Sequence, residues 1–262
     1  MIVKEIMTED VIYVDKNEDL YHILNLMKKH DITKIPVVED KKLIGIVTDN
    51  MIAYKLGSIR KKGIPASRLH ASLVTEKKFE AIAPETDIKH ILQTVGRPGL
   101  TMLPVLENRK LVGVVTKADL LPLVKSKKPV KDIMKTPVYT ISSEDRVIHA
   151  RRTMLNKNIA RLPVVNHGML LGMISDKEIA FAFAYIKKAF PLGHQKHQLE
   201  NLLVKDVMKT PAIWIKPSLT VQDAAKTMIK HNIGALPVIE NNQLIGIVTR
   251  TDLIKTITSD PT

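Results

Sequence analysis

The chain has 262 residues, with 40 lysines and arginines against 27 acidic residues, a net charge of +13 and no cysteine. A disulfide framework is excluded, and so is a helical bilayer span, because the longest strongly apolar run, Ile179 to Ile186, falls far short of the ~20 residues a span requires. The sequence predicts a soluble cytoplasmic protein in which the N-terminal MIVKEIM already belongs to the first folded unit and is no signal segment.

The first element is a short β-rich run, Ile12 to Val14. An apolar face of 3.6-residue period follows, Leu20, Ile23, Leu24 and Met27, which predicts a core helix. Next comes IPVVEDKKLIGIVTDN, Ile35 to Asn50: two apolar runs about a polar turn, the pattern of a β-hairpin, closing on Thr48 as the cap of a second helix. Near-copies of this stretch return from Leu103, Leu162 and Leu236. In all four copies a proline (Pro36, Pro104, Pro163, Pro237) stands nine residues before a glycine (Gly45, Gly113, Gly172, Gly246), and a hydroxyl residue (Thr48, Thr116, Ser175, Thr249) stands three after it. Glycine weakens a strand, so its return in the second strand of each hairpin predicts a place where a backbone or a ligand comes close.

The helix faces recur as well, each opening sixteen residues before its proline: Ile88, Ile91, Leu92 and Val95; Val147, Ala150 and Met154; Val221, Ala224, Ala225 and Met228. Further β-rich runs lie at Val138 to Ile141 and Ala212 to Ile215, and VKEIM, VKDIM or VKDVM stands ahead of each run. The repeating unit is strand, helix, strand, strand, helix, and the fold class is α+β. A unit of about sixty residues buries only about 60% of its unfolded surface, so the units are expected to pair. The repeats are placed at 1–60, 64–126, 127–190 and 200–260, with sequence neighbours pairing into modules at 1–126 and 127–262. Gly57 to Ser67 and Leu123 to Val130 read as linkers. The longest insertion, Ala182 to Leu202, widens the interval between prolines from 59 to 74 residues.

The order of elements, the repeated PVV-like strand, and the ending of glycine, two apolar residues, hydroxyl residue and first-turn carboxylate resemble the CBS domain, named for cystathionine beta-synthase. Tandem pairs of that domain form Bateman modules, and the resemblance covers almost the whole chain. It implies a pseudo-twofold disc per module, with clefts between paired sheets for adenosine-containing ligands: AMP, ADP, ATP, S-adenosylmethionine or methylthioadenosine. Family modules usually regulate an attached enzyme, channel or transporter. This chain carries none, so the resemblance implies a stand-alone ligand sensor that acts on another protein.

A carboxylate in the first turn of a helix can accept hydrogen bonds from both hydroxyls of a ribose, while the neighbouring threonine contacts the same sugar or caps the helix. Thr116 with Asp119 and Thr249 with Asp252 have that arrangement. On the residues alone, compensation of the helix dipole, worth ~0.3–1 kcal/mol each, serves equally well; the resemblance favours ribose. Ser175 with Glu178 adds a methylene and predicts a weak site. Repeat one has Met51 where a carboxylate is wanted, with Asp49 two residues too early, and predicts no strong site. In family members that bind phosphorylated nucleotides, basic residues just before the PVV strand reach the phosphate. Two residues before the proline stand Lys34, Met102, Arg161 and Ala235, so the resemblance implies Lys34 for the Asp119 ligand and Arg161 for the Asp252 ligand. The adenine would lie beside Ala81, Thr140 and Trp214, although plain packing is the more common role for a lone tryptophan such as Trp214.

The alternative reading is a basic, nucleic-acid-associated protein on the same scaffold, since the positive charge, densest at Arg60 to Lys62 and Lys125 to Lys131, suits salt-sensitive binding of polyanions. Aromatic residues are few and ungrouped, which argues against base stacking. No P-loop, Gly-rich dinucleotide turn, metal-ligand cluster or nucleophile elbow is present, so no enzyme and no catalytic cofactor is expected. His194 and His197, with Glu200, supply too few ligands for a zinc site. Ile179, Phe183, Ile186 and Phe190 recur at helical spacing, either as module packing or as the seam of a homodimer, because family modules often dimerise through terminal helices.

Overall fold

The computed structural model describes residues 1–40, 42–57, 69–95 and 102–259. Repeat one comprises β1 (Val14–Asp15), α1 (Leu20–Lys29), β2 (Lys34–Glu39), β3 (Lys42–Thr48) and α2 (Asp49–Leu56). Then come α3 (Ala71–Val74) and β4 (Thr75–Glu76), and repeat two continues with α4 (Ile88–Val95), β5 (Met102–Glu107), β6 (Lys110–Thr116) and α5 (Lys117–Leu120). Repeat three holds β7 (Ile141–Ser142), α6 (Val147–Lys157), β8 (Arg161–Asn166), β9 (Met169–Ser175) and α7 (Asp176–Ala189). The insertion forms α8 (Leu192–Asn201), and repeat four ends the chain with α9 (Val221–Lys230), β10 (Ala235–Glu240), β11 (Gln243–Thr249) and α10 (Arg250–Ser259). The class is α+β. Arg60 to Lys62 and most of the first linker lie outside the described residues.

Helices α1, α4, α6 and α9 begin at Leu20, Ile88, Val147 and Val221, where the periodic faces open. Local chemistry sets two of these starts: Asp19 accepts from the backbone N–H of Tyr21 and His22, and the Thr220 hydroxyl accepts from that of Asp223. Each hairpin carries a bulge at the same place, after Val37, Val105, Val164 or Val238. Positive φ at Asn108 with Arg109, His167 with Gly168, and Asn241 with Asn242 supplies the backbone that two-residue hairpin turns require.

By packing, the chain divides into two units. One contains Met1–Val11, Glu80–Val138 and Ile213–Thr262, hence repeats two and four; the other contains Ile12–Phe79 and Tyr139–Ala212, hence repeats one and three. In the second of these, Leu20, Ile23 and Val37 share a core with Val147, Leu162 and Phe183, and α2 lies against α7. In the first, Ile91, Leu103 and Leu120 share a core with Val221, Met228 and Leu253. Packing therefore cuts across the expected boundary between residues 126 and 127. Both groupings have a physical basis, because the segments that lead into the repeats are exchanged between sequence neighbours. The segment before repeat one lies on repeat two: Val3 N–H donates to the Thr86 carbonyl (2.9 Å), and Thr8 and Val114 exchange backbone hydrogen bonds. The segment before repeat two lies on repeat one, where Leu20 N–H donates to the Leu69 carbonyl (2.8 Å) and β4 pairs with β3. Repeats three and four repeat the trade, with Val130 N–H on the Leu219 carbonyl and Val204 N–H on that of Asp145, both 2.8 Å.

This exchange explains two departures from the expected pattern. The β-rich runs at Ile12, Val138 and Ala212 pair with a hairpin only at their ends, as β1, as β7 and at Ile215. Their earlier residues carry the chain from one unit into the other, at 11/12, 138/139 and 212/213. The hairpin glycines, in turn, lie under the exchanged segments. A Cβ on Gly45 would stand 2.5 Å from the Glu76 carbonyl oxygen, and one on Gly172 would stand 2.6 Å from that of Lys209. At Gly113 and Gly246 the closest atom is instead a methionine sulfur, Met7 Sδ at 2.6 Å from the Cβ position and Met134 Sδ closer still.

The insertion is absorbed into the unit of repeats one and three. Ile179, Phe183 and Ile186 are buried in its core, and Phe190 packs against it. Of the two expected roles, Ile179, Phe183 and Ile186 take packing within the unit. Gln195 donates to the carbonyls of Lys187 (3.1 Å) and Phe190 (3.0 Å), tying α8 to the end of α7. Gly193, in the first turn of α8, has open space where a Cβ would stand. Gly193→Ala is expected to stabilise the protein by about 0.5–1 kcal/mol, read as a higher urea midpoint. Among the described residues no helix is long and apolar enough to cross a membrane.

Candidate functional site

The hydroxyl residue that ends a hairpin and the acidic residue three positions later form a closed pair at the start of the next helix. In the unit of repeats two and four, Asp119 Oδ2 accepts from the Thr116 N–H (2.7 Å) and hydroxyl (2.8 Å). Asp252 Oδ2 accepts in the same way from the Thr249 N–H (2.9 Å) and hydroxyl (2.6 Å). One oxygen of each carboxylate is thus committed to holding the helix start, and Oδ1 faces the exchanged segment. There the Thr8 hydroxyl lies 3.5 Å from Asp119 Oδ1, and Lys135 Nζ lies 3.1 Å from Asp252 Oδ1. Asp252 is buried at 7% exposure, whereas the Lys135 side chain is 60% exposed; Asp119 is half-buried. Neither carboxylate simply points into bulk water. Helix capping and a remaining acceptor oxygen coexist in one group.

The Glu178 side chain folds back to make the same pair, its Oε2 accepting from the Ser175 N–H at 2.9 Å and from the Ser175 hydroxyl. In repeat one Thr48 caps α2 by accepting from the Met51 N–H (3.1 Å), with no carboxylate at that position.

In the unit of repeats one and three the charges gather elsewhere. Lys34 and Arg161 open β2 and β8, in register with Thr48 and Ser175. Asp49 and Asp176 open α2 and α7. Burial raises the Asp49 carboxyl against the pull of Lys34 and Arg161, and burial lowers the Arg161 guanidinium against Asp49, Glu178 and Asp176. Asp176, 2% exposed, accepts from Arg151 Nη1 at 2.5 Å and from Asn50 Nδ2 at 2.9 Å, while Arg151 Nη2 donates to the Asn50 carbonyl at 3.3 Å. Burial nevertheless pushes the Asp176 carboxyl up to about 6, outweighing Arg151 and Asn50. Repeat one is thereby joined to repeat three by a buried polar bridge.

The expected site residues are thus distributed. Thr116, Asp119, Thr249, Asp252 and Trp214 belong to one unit; Lys34, Arg161, Ser175, Glu178 and Thr140 belong to the other. Trp214, 48% exposed, lines a shallow cavity of about 480 Å³ with Ile215, Lys216, Leu219 and Asp223, and Asp252 is not part of that lining. Thr140 is exposed just ahead of β7. Sequence reasoning missed Arg151, Asp176 and Asn50. The signal was a charge on an apolar stripe, because Arg151 occupies the helix position held by Leu24, Leu92 and Ala225 in the other repeats.

Comparison with known proteins adds kinship. The CBS-domain family profile matches residues 3–58, 72–126, 130–185 and 204–259. The uncharacterized protein MJ1404 of Methanocaldococcus jannaschii is 29% identical over 265 residues, a match covering 97% of this chain and 61% of that protein's length. Protein MJ1225 of the same organism is 28% identical over 210 residues, covering 72% of this chain and 71% of that protein. The crystal structure of MJ1225 matches with a TM-score of 0.84 at 22% identity, over 98% of this chain and 99% of that one, which shows a shared fold.

Proposed function

This chain belongs to the CBS-domain family, and on that premise we propose that it is a non-catalytic sensor of adenosine-containing ligands whose occupancy alters a partner protein. It holds four CBS domains, the complement of two tandem Bateman modules. The observation that carries the reading is the pair of closed hydroxyl–carboxylate motifs, Thr116 with Asp119 and Thr249 with Asp252, each with Oδ2 fixed by the capping threonine and Oδ1 turned toward the exchanged segment, where Thr8 or the exposed Lys135 would yield to a sugar diol. Asp252 is buried, which strengthens any hydrogen bond it accepts. Lys34 and Arg161 belong to the unit of Ser175 and Glu178, not to that of Asp119 and Asp252, so they are proposed as phosphate contacts of the third, weaker ribose pair, Ser175 with Glu178. The cluster around Lys34 and Arg161 also contains Arg151 and the carboxylates Asp49, Asp176 and Glu178, so its charges nearly balance. That balance favours a ligand of low charge, such as AMP or methylthioadenosine, over ATP.

Isothermal titration with adenosine, AMP, ATP, S-adenosylmethionine and methylthioadenosine tests the proposal. Asp119→Asn and Asp252→Asn are each expected to abolish one site, with thermal melts confirming that the variants fold. Failure to bind any of these ligands, or binding indifferent to both substitutions, would reject it. Salt-sensitive RNA or DNA binding that ignores both substitutions would point to the basic surface as the functional feature.

A further inference from the structure

We infer that Lys135 makes the two ribose carboxylates unequal, because it occupies the one Asp252 oxygen that a diol needs and so acts as a built-in competitor for that site. The inference rests on the sensor reading above. Thr8 and Lys135 hold the same place in their exchanged segments: Thr8 exchanges backbone hydrogen bonds with Val114 and Lys135 with Ile247, each the residue after a hairpin glycine. Their side chains therefore reach the same oxygen of equivalent carboxylates, Asp119 Oδ1 at 3.5 Å and Asp252 Oδ1 at 3.1 Å.

A count of lone pairs shows the consequence. A carboxylate offers about four acceptor positions, two per oxygen. At both sites Oδ2 already accepts two hydrogen bonds, from the N–H and the hydroxyl of the capping threonine. A diol that donates twice must use both positions on Oδ1. At Asp119 the hydrogen-bonding neighbour there, among the described residues, is a threonine hydroxyl at the 3.5 Å limit of hydrogen bonding, which can rotate away. At Asp252 an ammonium holds one position and neutralises the charge that would attract the second hydroxyl. Lys135 is 60% exposed, so it can swing into water when ligand arrives, and the barrier is that of breaking a partly exposed ion pair. Lys135 is a specificity-determining residue here: it leaves the Asp119 site open and the Asp252 site conditional.

Adenosine, uncharged and carrying the diol, is the probe, titrated calorimetrically in two backgrounds. Asp119→Asn leaves the Asp252 site, and Asp252→Asn leaves the Asp119 site. In the first background Lys135→Thr is expected to tighten adenosine binding about 1.5- to 5-fold, the range for exposed ion pairs. Raising ionic strength should tighten binding at the Asp252 site when Lys135 is present and have no effect once it is threonine. In the second background Thr8→Lys is expected to weaken binding by a similar factor. Unchanged or weaker binding in Lys135→Thr, with adenosine still bound at the Asp252 site, would overturn the competitor while leaving the sensor reading intact. Adenosine binding at neither site would overturn both.

Discussion

Replacing Arg151 with leucine is expected to destabilise the unit of repeats one and three by about 3–5 kcal/mol, although leucine already occupies the equivalent helix position in repeats one and two. The loss does not come from poor packing of leucine. It comes from Asp176, which is 2% exposed and, among the described residues, would keep Asn50 alone as a side-chain hydrogen-bond partner. Removing both charges should therefore recover much of the loss, since a buried ion pair replaced by apolar groups is often close to neutral. Urea unfolding followed by circular dichroism of Arg151→Leu, Asp176→Ala and the double variant measures this coupling. A double variant no more stable than Arg151→Leu would show that the bridge is not what holds the two repeats together.

The same group has a pH signature with a definite sign. The Asp176 carboxyl titrates near about 6 in the folded chain and near about 3.9 when unfolded. Between those values the folded state holds a proton that the unfolded state has released. This group's contribution to stability is therefore largest below pH ~4 and falls as pH rises to ~6, by a total on the order of 3 kcal/mol. In Asp176→Asn the fall between those pH values should shrink by about that amount.

A second large effect is expected at the crossing of the exchanged segments. Gly172→Val should cost at least the ~1–3 kcal/mol typical of overpacking, because its Cβ would stand 2.6 Å from the Lys209 carbonyl oxygen and 3.2 Å from Met208 Sδ. A flexible side chain can yield, but a backbone oxygen held in an isolated antiparallel bridge cannot do so without losing hydrogen bonds. The bonds at stake are the two between Met173 and Lys209, of 2.9 and 2.8 Å. Hydrogen exchange should show their amides losing protection before the rest of the unit does. An unchanged midpoint and full protection at both amides would mean that no tight crossing exists.

Much of the fold was legible because it is local. The helix starts at Leu20, Ile88, Val147 and Val221 follow from periodic apolar faces, and the hairpins follow from strand patterning and polar turns. The pairing of Thr116 with Asp119 and of Thr249 with Asp252 was legible for the same reason, since three residues across a helix start fixes which groups can meet. Even the grouping of repeats one with three left a trace. Those repeats carry Lys34 and Arg161 before the proline, with Asp49 and Asp176 after the hydroxyl residue, where repeats two and four carry Met102 and Ala235, with Lys117 and Arg250.

By itself, then, the sequence determined the repeating unit, its faces, its caps and the four glycines at points of close approach. Only the tertiary structure decided what approaches: a segment taken from the neighbouring repeat, which sets backbone oxygens against Gly45 and Gly172 and methionine side chains against Gly113 and Gly246, and brings Thr8 to Asp119 and Lys135 to Asp252. The physical reason is that periodicity records which side of an element avoids water, and several surfaces can satisfy that demand equally well. Which one does so depends on contacts between residues from about thirty to more than a hundred positions apart, and no local pattern encodes those contacts.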